Sequence, residues 1–231
     1  MINNNSLTLE HSEEYLEHLA QFIHIPYTEL RPYKNEFITR KYNKGQVVYY
    51  SSDDMSHMYF LLEGHVLREH FNKNGDVYRI LNKDIRLFPL HSLFQEHTTN
   101  EMCTTITDCV IISIPIDFME YLCLNHVNVF KRIYQLLCQN EQQQMEYHMA
   151  LNAKSAKESI IKILIYLCHT IGYDNDEFYE IKSFLTIQMI SNLASVSRET
   201  TGHIIHELKE DNILMHHSKN WIISKAILKA I

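Results

Sequence analysis

The 231-residue chain is poor in the residues that punctuate or staple a fold, with five glycines, four prolines and one tryptophan. So few glycines leave little room for a phosphate-cradling loop or a nucleophile elbow, and neither pattern occurs. Cysteine is also sparse. Cys103, Cys109, Cys123, Cys138 and Cys168 are odd in number and include no C-x-x-C pair, which argues against a disulfide framework or a thiolate metal site and for reduced core thiols. Fifteen histidines are present, yet no H-x-x-x-H pair with a nearby carboxylate marks a metalloenzyme. No apolar run reaches the roughly 18 residues that a membrane span needs. The start Met-Ile-Asn-Asn-Asn-Ser has neither the basic nor the apolar region of a secretory signal. These absences lead us to expect a cytoplasmic protein, not an enzyme, with no membrane partner.

Positive charge is lacking too. The net charge is −7; residues 1–150 hold 12 Lys/Arg against 19 Asp/Glu, and residues 151–231 hold 9 against 9. The acidic excess lies wholly in the first part, and no basic footprint marks the second, so any nucleic-acid role must rest on local pattern. The length suits two domains, each able to bury a core.

Tyr15, Leu16, Leu19, Phe22 and Ile23 recur at helical spacing and predict a short amphipathic helix over 12–23, with a further turn or two after Pro26. Between Phe37 and Pro115 the texture changes to short segments such as Val47 to Tyr50, Tyr59 to Leu62 and Val110 to Ile112. They are divided by the turn signals Asn43-Lys44-Gly45, Glu63-Gly64 and Asn72 to Asp76. Such spacing predicts a compact antiparallel roll or barrel. After Pro115 neither glycine nor proline appears until Gly172, and Phe118, Leu122, Val129, Ile133, Leu136, Leu137, Met145 and Met149 recur at three, four or seven, predicting one long helix. Gln135, Gln139 and Gln142 to Gln144 suit a helix that faces a partner, so a dimer seam is expected; packing against its own roll is the alternative. Ile160 to Cys168 reads as a buried core helix, and acidic Asp174 to Glu180 as a surface turn. The expected boundaries are 1–116 for the first helix and roll, 117–151 for the dimerisation helix and 152–231 for the last domain.

Chemistry concentrates in Leu185 to Leu214, where two short helical patterns are divided by Ser195-Val196-Ser197. Thr186 and Ser197 are candidate N-caps. Ile190, Leu193, Val196, Ile204, Ile205 and Leu208 fall on one interior face, and Arg198, Glu199, Gly202, His203 and His206 on the opposite one. In a helix-turn-helix that polar face meets base edges. Arginine can pair bidentately with guanine, glutamate can accept from cytosine N4, and glycine lets backbone approach. Ser197, Thr200 and Thr201 could hold phosphates, and Thr186 and Gln188 complete the candidate DNA-binding set. A hairpin wing is expected from Ile213 to His217, a turn at Ser218-Lys219-Asn220, and Trp221 to Ile223; its His216 and His217 join His203 and His206 on the expected DNA side. An ordinary helical hairpin is the alternative.

Ser197-Arg198-Glu199-Thr200 followed by Gly202 resembles the recognition-helix core of the Crp/Fnr regulator family, with His203 where relatives place a second basic reader and Ser195 where they often have glycine. Lys44-Gly45, Tyr59 to Gly64 and Asn74-Gly75 sit where that family's β-roll places its turn glycines. The resemblance implies an α+β protein: an N-terminal cyclic-nucleotide-type β-roll, a long dimerisation helix and a C-terminal winged helix-turn-helix. It further implies a homodimer on double-stranded DNA, reading half-sites like TGTGA, with RNA polymerase as a partner if the protein activates. The stretch Lys83 to Phe94 and on to Thr105 holds neither the Gly-Glu nor the Arg-Ser/Thr pair of cyclic-AMP-binding relatives, so cyclic AMP is expected weakly if at all, with Arg68, Arg79 or Arg86 as conceivable phosphate partners. With no cysteine before Cys103, no iron–sulfur cluster is expected. The segment Arg-Glu-Thr-Thr-Gly-His-Ile-Ile-His is most similar to regulators of the arginine deiminase operon in low-GC Gram-positive bacteria, which implies activation of anaerobic arginine catabolism. The alternatives are control of other anaerobic or stress genes, or a ligand-sensing module without specific DNA binding.

Overall fold

The computed structural model describes residues 9–53, 55–74, 77–95 and 100–229. Gly75 and Asp76 of the expected turn, and part of the stretch between Phe94 and Thr105, lie outside them. The chain divides into two compact units, Met1–Cys138 and Gln139–Ile231.

In the first unit α1 (Leu9–Phe22) and α2 (Tyr27–Leu30) precede a 3₁₀ turn, Arg31–Glu36. Among the described residues eight strands follow: β1 (Ile38–Tyr42), β2 (Val47–Tyr49), β3 (His57–Glu63), β4 (His65–Phe71), β5 (Val77–Lys83), β6 (Arg86–Phe88), β7 (Glu101–Thr105) and β8 (Cys109–Pro115). They form two antiparallel four-stranded sheets ordered β1-β8-β3-β6 and β2-β7-β4-β5, the expected roll. The chain leaves one sheet for the other at Gly64, between β3 and β4. Its φ of 98° lies in the left-handed region, and a Cβ there would sit 2.3 Å from the Asp108 carbonyl oxygen, so no other residue fits. Phe60, Leu61, Ile111, Ile112 and Ile114 fill the interior, and Leu16 and Leu19 of α1, with Ile23 just after it, close over the same core.

One long helix was expected after Pro115. Two are found: α3 (Ile116–Asn125) and α4 (Val127–Leu151), interrupted at His126, which takes extended angles of φ −127° and ψ 100°. Ile116, Met119, Leu122 and Cys123 bury α3. The chain then re-aims through Asn125-His126-Val127, residues of modest helix propensity, with the Asn125 amide donating to the Tyr121 carbonyl at 2.8 Å. On α4, Val129, Ile133 and Leu136 are buried in the unit's core while Val127, Phe130, Tyr134 and Leu137 are exposed. Both expected uses of the helix are therefore available on different stripes.

The second unit holds the rest of α4, then α5 (Ala156–Ile171), β9 (Tyr173–Asp174), β10 (Phe178–Ile181), α6 (Ile187–Ala194), α7 (Arg198–Glu210), β11 (Leu214–His217) and β12 (Asn220–Ser224). The Ser155 hydroxyl caps α5 by accepting from the Glu158 N–H at 3.1 Å. As expected, α5 is buried on most sides, through Ile160, Ile163, Leu164, Leu167, Cys168 and Ile171. Acidic Asp174 to Glu180 is more than the surface turn expected. It is a hairpin whose β10 pairs with β12, extending the wing to a sheet ordered β11-β12-β10-β9. Among the described residues no helix is long and apolar enough to cross a membrane.

Candidate nucleic-acid interface

Two short helices and the turn between them build the surface. Thr186 stops the preceding chain and caps α6, its hydroxyl oxygen accepting from the Met189 N–H at 3.2 Å. Gln188, exposed on the first turn, donates to Asn192 Oδ1 at 2.8 Å. Ser195 ends α6 in the left-handed conformation, φ 53° and ψ 36°, where a side chain is strained and glycine is not. Ser197 then opens α7. Its Oγ accepts from the Thr200 N–H at 3.1 Å and donates to Thr200 Oγ1 at 2.8 Å, leaving Thr200's own hydroxyl hydrogen to serve an acceptor outside.

Packing holds the pair of helices. Ile190, Leu193, Ile204, Ile205 and Leu208 are buried, with Val196 half-buried. Tyr147 of α4 donates to the Leu193 carbonyl at 3.0 Å and Trp221 of the wing to the Leu185 carbonyl at 2.8 Å. These bonds tie the start and end of α6 to neighbouring elements.

Arg198, Glu199, His203 and His206 are exposed on one face of α7, with Gly202 between them. A Cβ at Gly202 would meet nothing within 4 Å, so internal packing does not demand glycine there. Ile187, Arg198, Glu199 and Gly202 line a shallow hollow of about 440 Å³. Arg198 is committed to no carboxylate among the described residues, and His206 faces Glu210 at 3.4 Å. Thr201 departs from expectation. It is fully buried and its hydroxyl donates to the Ser197 carbonyl at 2.9 Å, because it stands three, four and seven residues before Ile204, Ile205 and Leu208 and so shares their buried stripe; its side chain packs inward.

The wing turn places Ser218 and Lys219 at φ 50° and 71°, the two successive left-handed residues of a type I′ hairpin. His216 and His217 are both exposed on it, and the His216 ring packs edge-on to Trp221 at 4.6 Å. Burial, and then the charge of Lys209, push the His216 imidazole below its usual range, which keeps it neutral.

Sequence reading did not pair two buried charges inside the roll. Arg68 of β4 grips Glu101 of β7 through Nε to Oε1 and Nη2 to Oε2, both at 2.7 Å. No local pattern joins residues 33 positions apart; the β4–β7 pairing does. Arg79, another conceivable phosphate partner, bonds Glu69 at 2.9 Å. Among the described residues no group of three or more His, Cys, Asp or Glu could hold a metal ion.

Known proteins with these features fall into one pattern. Residues 39–126 match the family described as cyclic nucleotide-binding domain. The HTH-type transcriptional regulator ArcR of Staphylococcus epidermidis is 56% identical over 213 residues, 92% of this chain and 93% of that protein. Its Staphylococcus aureus namesake is 50% identical over 219 residues, 95% and 94% respectively. Among solved structures, a cyclic nucleotide-binding domain containing protein from Listeria monocytogenes superposes with TM-score 0.70 at 15% identity over 94% of this chain and 97% of that one. A CRP-family transcriptional regulator from Thermus thermophilus gives 0.63 at 13% identity over 82% and 95%. The last two bear on the fold alone.

Proposed function

The chain belongs to the ArcR group of HTH-type transcriptional regulators, and on that footing we propose that it works as a Crp/Fnr-type regulator, binds a palindromic operator as a homodimer in the cytoplasm and activates arginine catabolism through the arginine deiminase operon. The observation that carries the DNA-reading part is the exposed, capped face of α7, which presents Arg198, Glu199, Gly202 and His203 together. Arg198 reads guanine O6 and N7, Glu199 accepts from cytosine N4, and Gly202 lets the duplex come close. His203 is the second reader. Ser197, Thr200, Thr186, Gln188 and His206 border that face and take the phosphate side.

Dimerisation is supported by Val127, Phe130, Tyr134 and Leu137, which follow one another at three, four and three residues along α4 and are all exposed. That is the a/d spacing of a helix seam. Tyr121 and Leu124 on the preceding α3 are exposed as well, Leu124 at 77%. Lone exposed apolar residues are ordinary, but a stripe of four along one helix marks an association surface. An activator of this build contacts RNA polymerase once on its operator.

The deciding measurement is a gel shift of the full chain on the arginine deiminase promoter against a shuffled fragment of equal length, with sedimentation alongside. Specific retardation by a species of twice the 27.4 kDa chain mass is expected. A Phe130→Glu/Tyr134→Glu variant should sediment as a monomer and lose the specific shift. Equal affinity for both fragments would defeat the reading, and specific binding only to other promoters would move the target to other anaerobic or stress genes.

A further inference from the structure

Arg68 and Glu101 sit at the centre of a closed polar cluster on the inward face of one sheet. In the β4–β7 ladder His70 stands opposite Glu101 and Arg68 opposite Cys103; Tyr49 of β2 also stands opposite Cys103. These side chains therefore share one face. That face looks into the roll, because the Arg68 guanidinium lies 5.3 Å from the ring centroid of Phe88, on the other sheet. Glu101 is wholly buried and Arg68 nearly so. Oε1 of Glu101 accepts from Arg68 Nε and the Tyr49 hydroxyl, and Oε2 from Arg68 Nη2 and His70 Nε2. Two donors on each oxygen fill the acceptor sites of an ionised carboxylate.

Protonation states agree with the geometry. Burial opposes ionisation of Glu101, but the Arg68 charge and the hydrogen bonds from His70 and Arg68 outweigh it and hold the carboxyl well below its usual range. Burial pushes the Tyr49 phenol well up, so it remains a neutral donor. A two-pronged guanidinium grip is how proteins hold a phosphate or carboxylate ligand; here the chain itself fills the grip. A cyclic nucleotide, the ligand class that the domain family's name implies, carries an anionic phosphate. Inside this roll that phosphate would meet an arginine already neutralised and a buried carboxylate of its own sign, an uncompensated charge in a dry site. The residues present do not fit it.

We propose that Glu101 is a resident anion of the roll, a carboxylate built into the chain that occupies the interior arginine in place of an anionic ligand, so that DNA binding by this regulator does not respond to cyclic nucleotides. Taking away the Glu101 charge while keeping its shape turns the roll into an anion site.

The test titrates the full chain by calorimetry and thermal shift with three probes: cyclic AMP, inorganic phosphate and phosphate-free adenosine. Wild type, Glu101→Gln and an Arg68→Met/Glu101→Leu pair are compared, with circular dichroism to confirm folding. Wild type should show no saturable binding of cyclic AMP up to about 1 mM, whereas Glu101→Gln should bind an anionic probe at least about tenfold more tightly than wild type. Uptake of both anions points to a general anion site, and uptake of cyclic AMP alone to a nucleotide site. Adenosine should not discriminate, and the double variant should bind neither anion. A wild-type dissociation constant for cyclic AMP below about 10 µM overturns the proposal, as does a folded Glu101→Gln that gains no affinity. Should Glu101→Gln not fold, wild type decides: operator affinity unchanged by 1 mM (about a thousandfold excess over a micromolar binder) cyclic AMP supports the proposal, and a change refutes it.

Discussion

Replacing Ser195 by glycine should stabilise the DNA-binding unit, and the structure supplies both sign and size. Ser195 holds φ 53° and ψ 36° at the end of α6, a conformation that costs a residue with a Cβ roughly 1–2 kcal/mol. Its backbone N–H donates to the Ser191 carbonyl, a bond that glycine keeps. The side chain is exposed, so little packing is lost. Against the relief stands the larger freedom of glycine in the unfolded chain, roughly 0.5–1 kcal/mol. The net gain is about 0.5–1 kcal/mol, which for a unit of this size raises the melting temperature by about 2–8 °C. The assay is simple because the single tryptophan, Trp221, is buried in the second unit and its fluorescence follows that unit alone. Ser195→Ala, which keeps the strain, should show no such rise. Operator preference should be unchanged, since the reading face of α7 lies beyond the turn. A melting temperature for Ser195→Gly equal to or below wild type would refute the reasoning.

Arg198→Ala should cost about 1–3 kcal/mol of discrimination between operator and random DNA while weakening random-sequence binding little; an unaltered affinity ratio in competition gel shifts would remove Arg198 from base reading. A second expectation concerns acid. The folded-state pKa of Glu101 is depressed, so its contribution to the roll is fully present above the unfolded carboxyl value of about 4.3 and is lost as pH falls through the folded value. Far-ultraviolet circular dichroism at graded urea should therefore show the first unit losing stability below about pH 5 more steeply in wild type than in Arg68→Met/Glu101→Leu; parallel slopes would contradict it.

The helix-turn-helix was legible in sequence because its signals are local. Thr186 and Ser197 are good caps, and Ile190, Leu193, Ile204, Ile205 and Leu208 repeat within a turn or two of one another. Thr201 falls on the same stripe, three residues before Ile204 and four before Ile205, so its inward side chain is set by that repeat although its residue type suggests a polar role. The break at His126 was hidden for the opposite reason. No glycine or proline marks it, and the competition that decides it is between continuing a helix and burying Val129, Ile133 and Leu136 against the roll. The β9–β10 hairpin was unreadable because its four-residue second strand takes its partner from β12, some forty residues later. The Arg68–Glu101 pair was unreadable because strand order alone makes the two neighbours.

The two stripes of α4 have a mechanical meaning. Val129 and Phe130, Ile133 and Tyr134, Leu136 and Leu137 are sequence neighbours, the first of each pair in the roll's core and the second outward. Successive residues on a helix are about 100° apart, so the helix works as a cam. Turning it by a fraction of that angle would lift the inner stripe from the core as it swung the outer one aside, and the core resists the turn because each large apolar side chain withdrawn costs roughly 1.5–3 kcal/mol. The roll thereby sets the rotational phase in which the outward stripe is offered. A single insertion between Val129 and Ile133 should spoil the stripe without touching any of its residues.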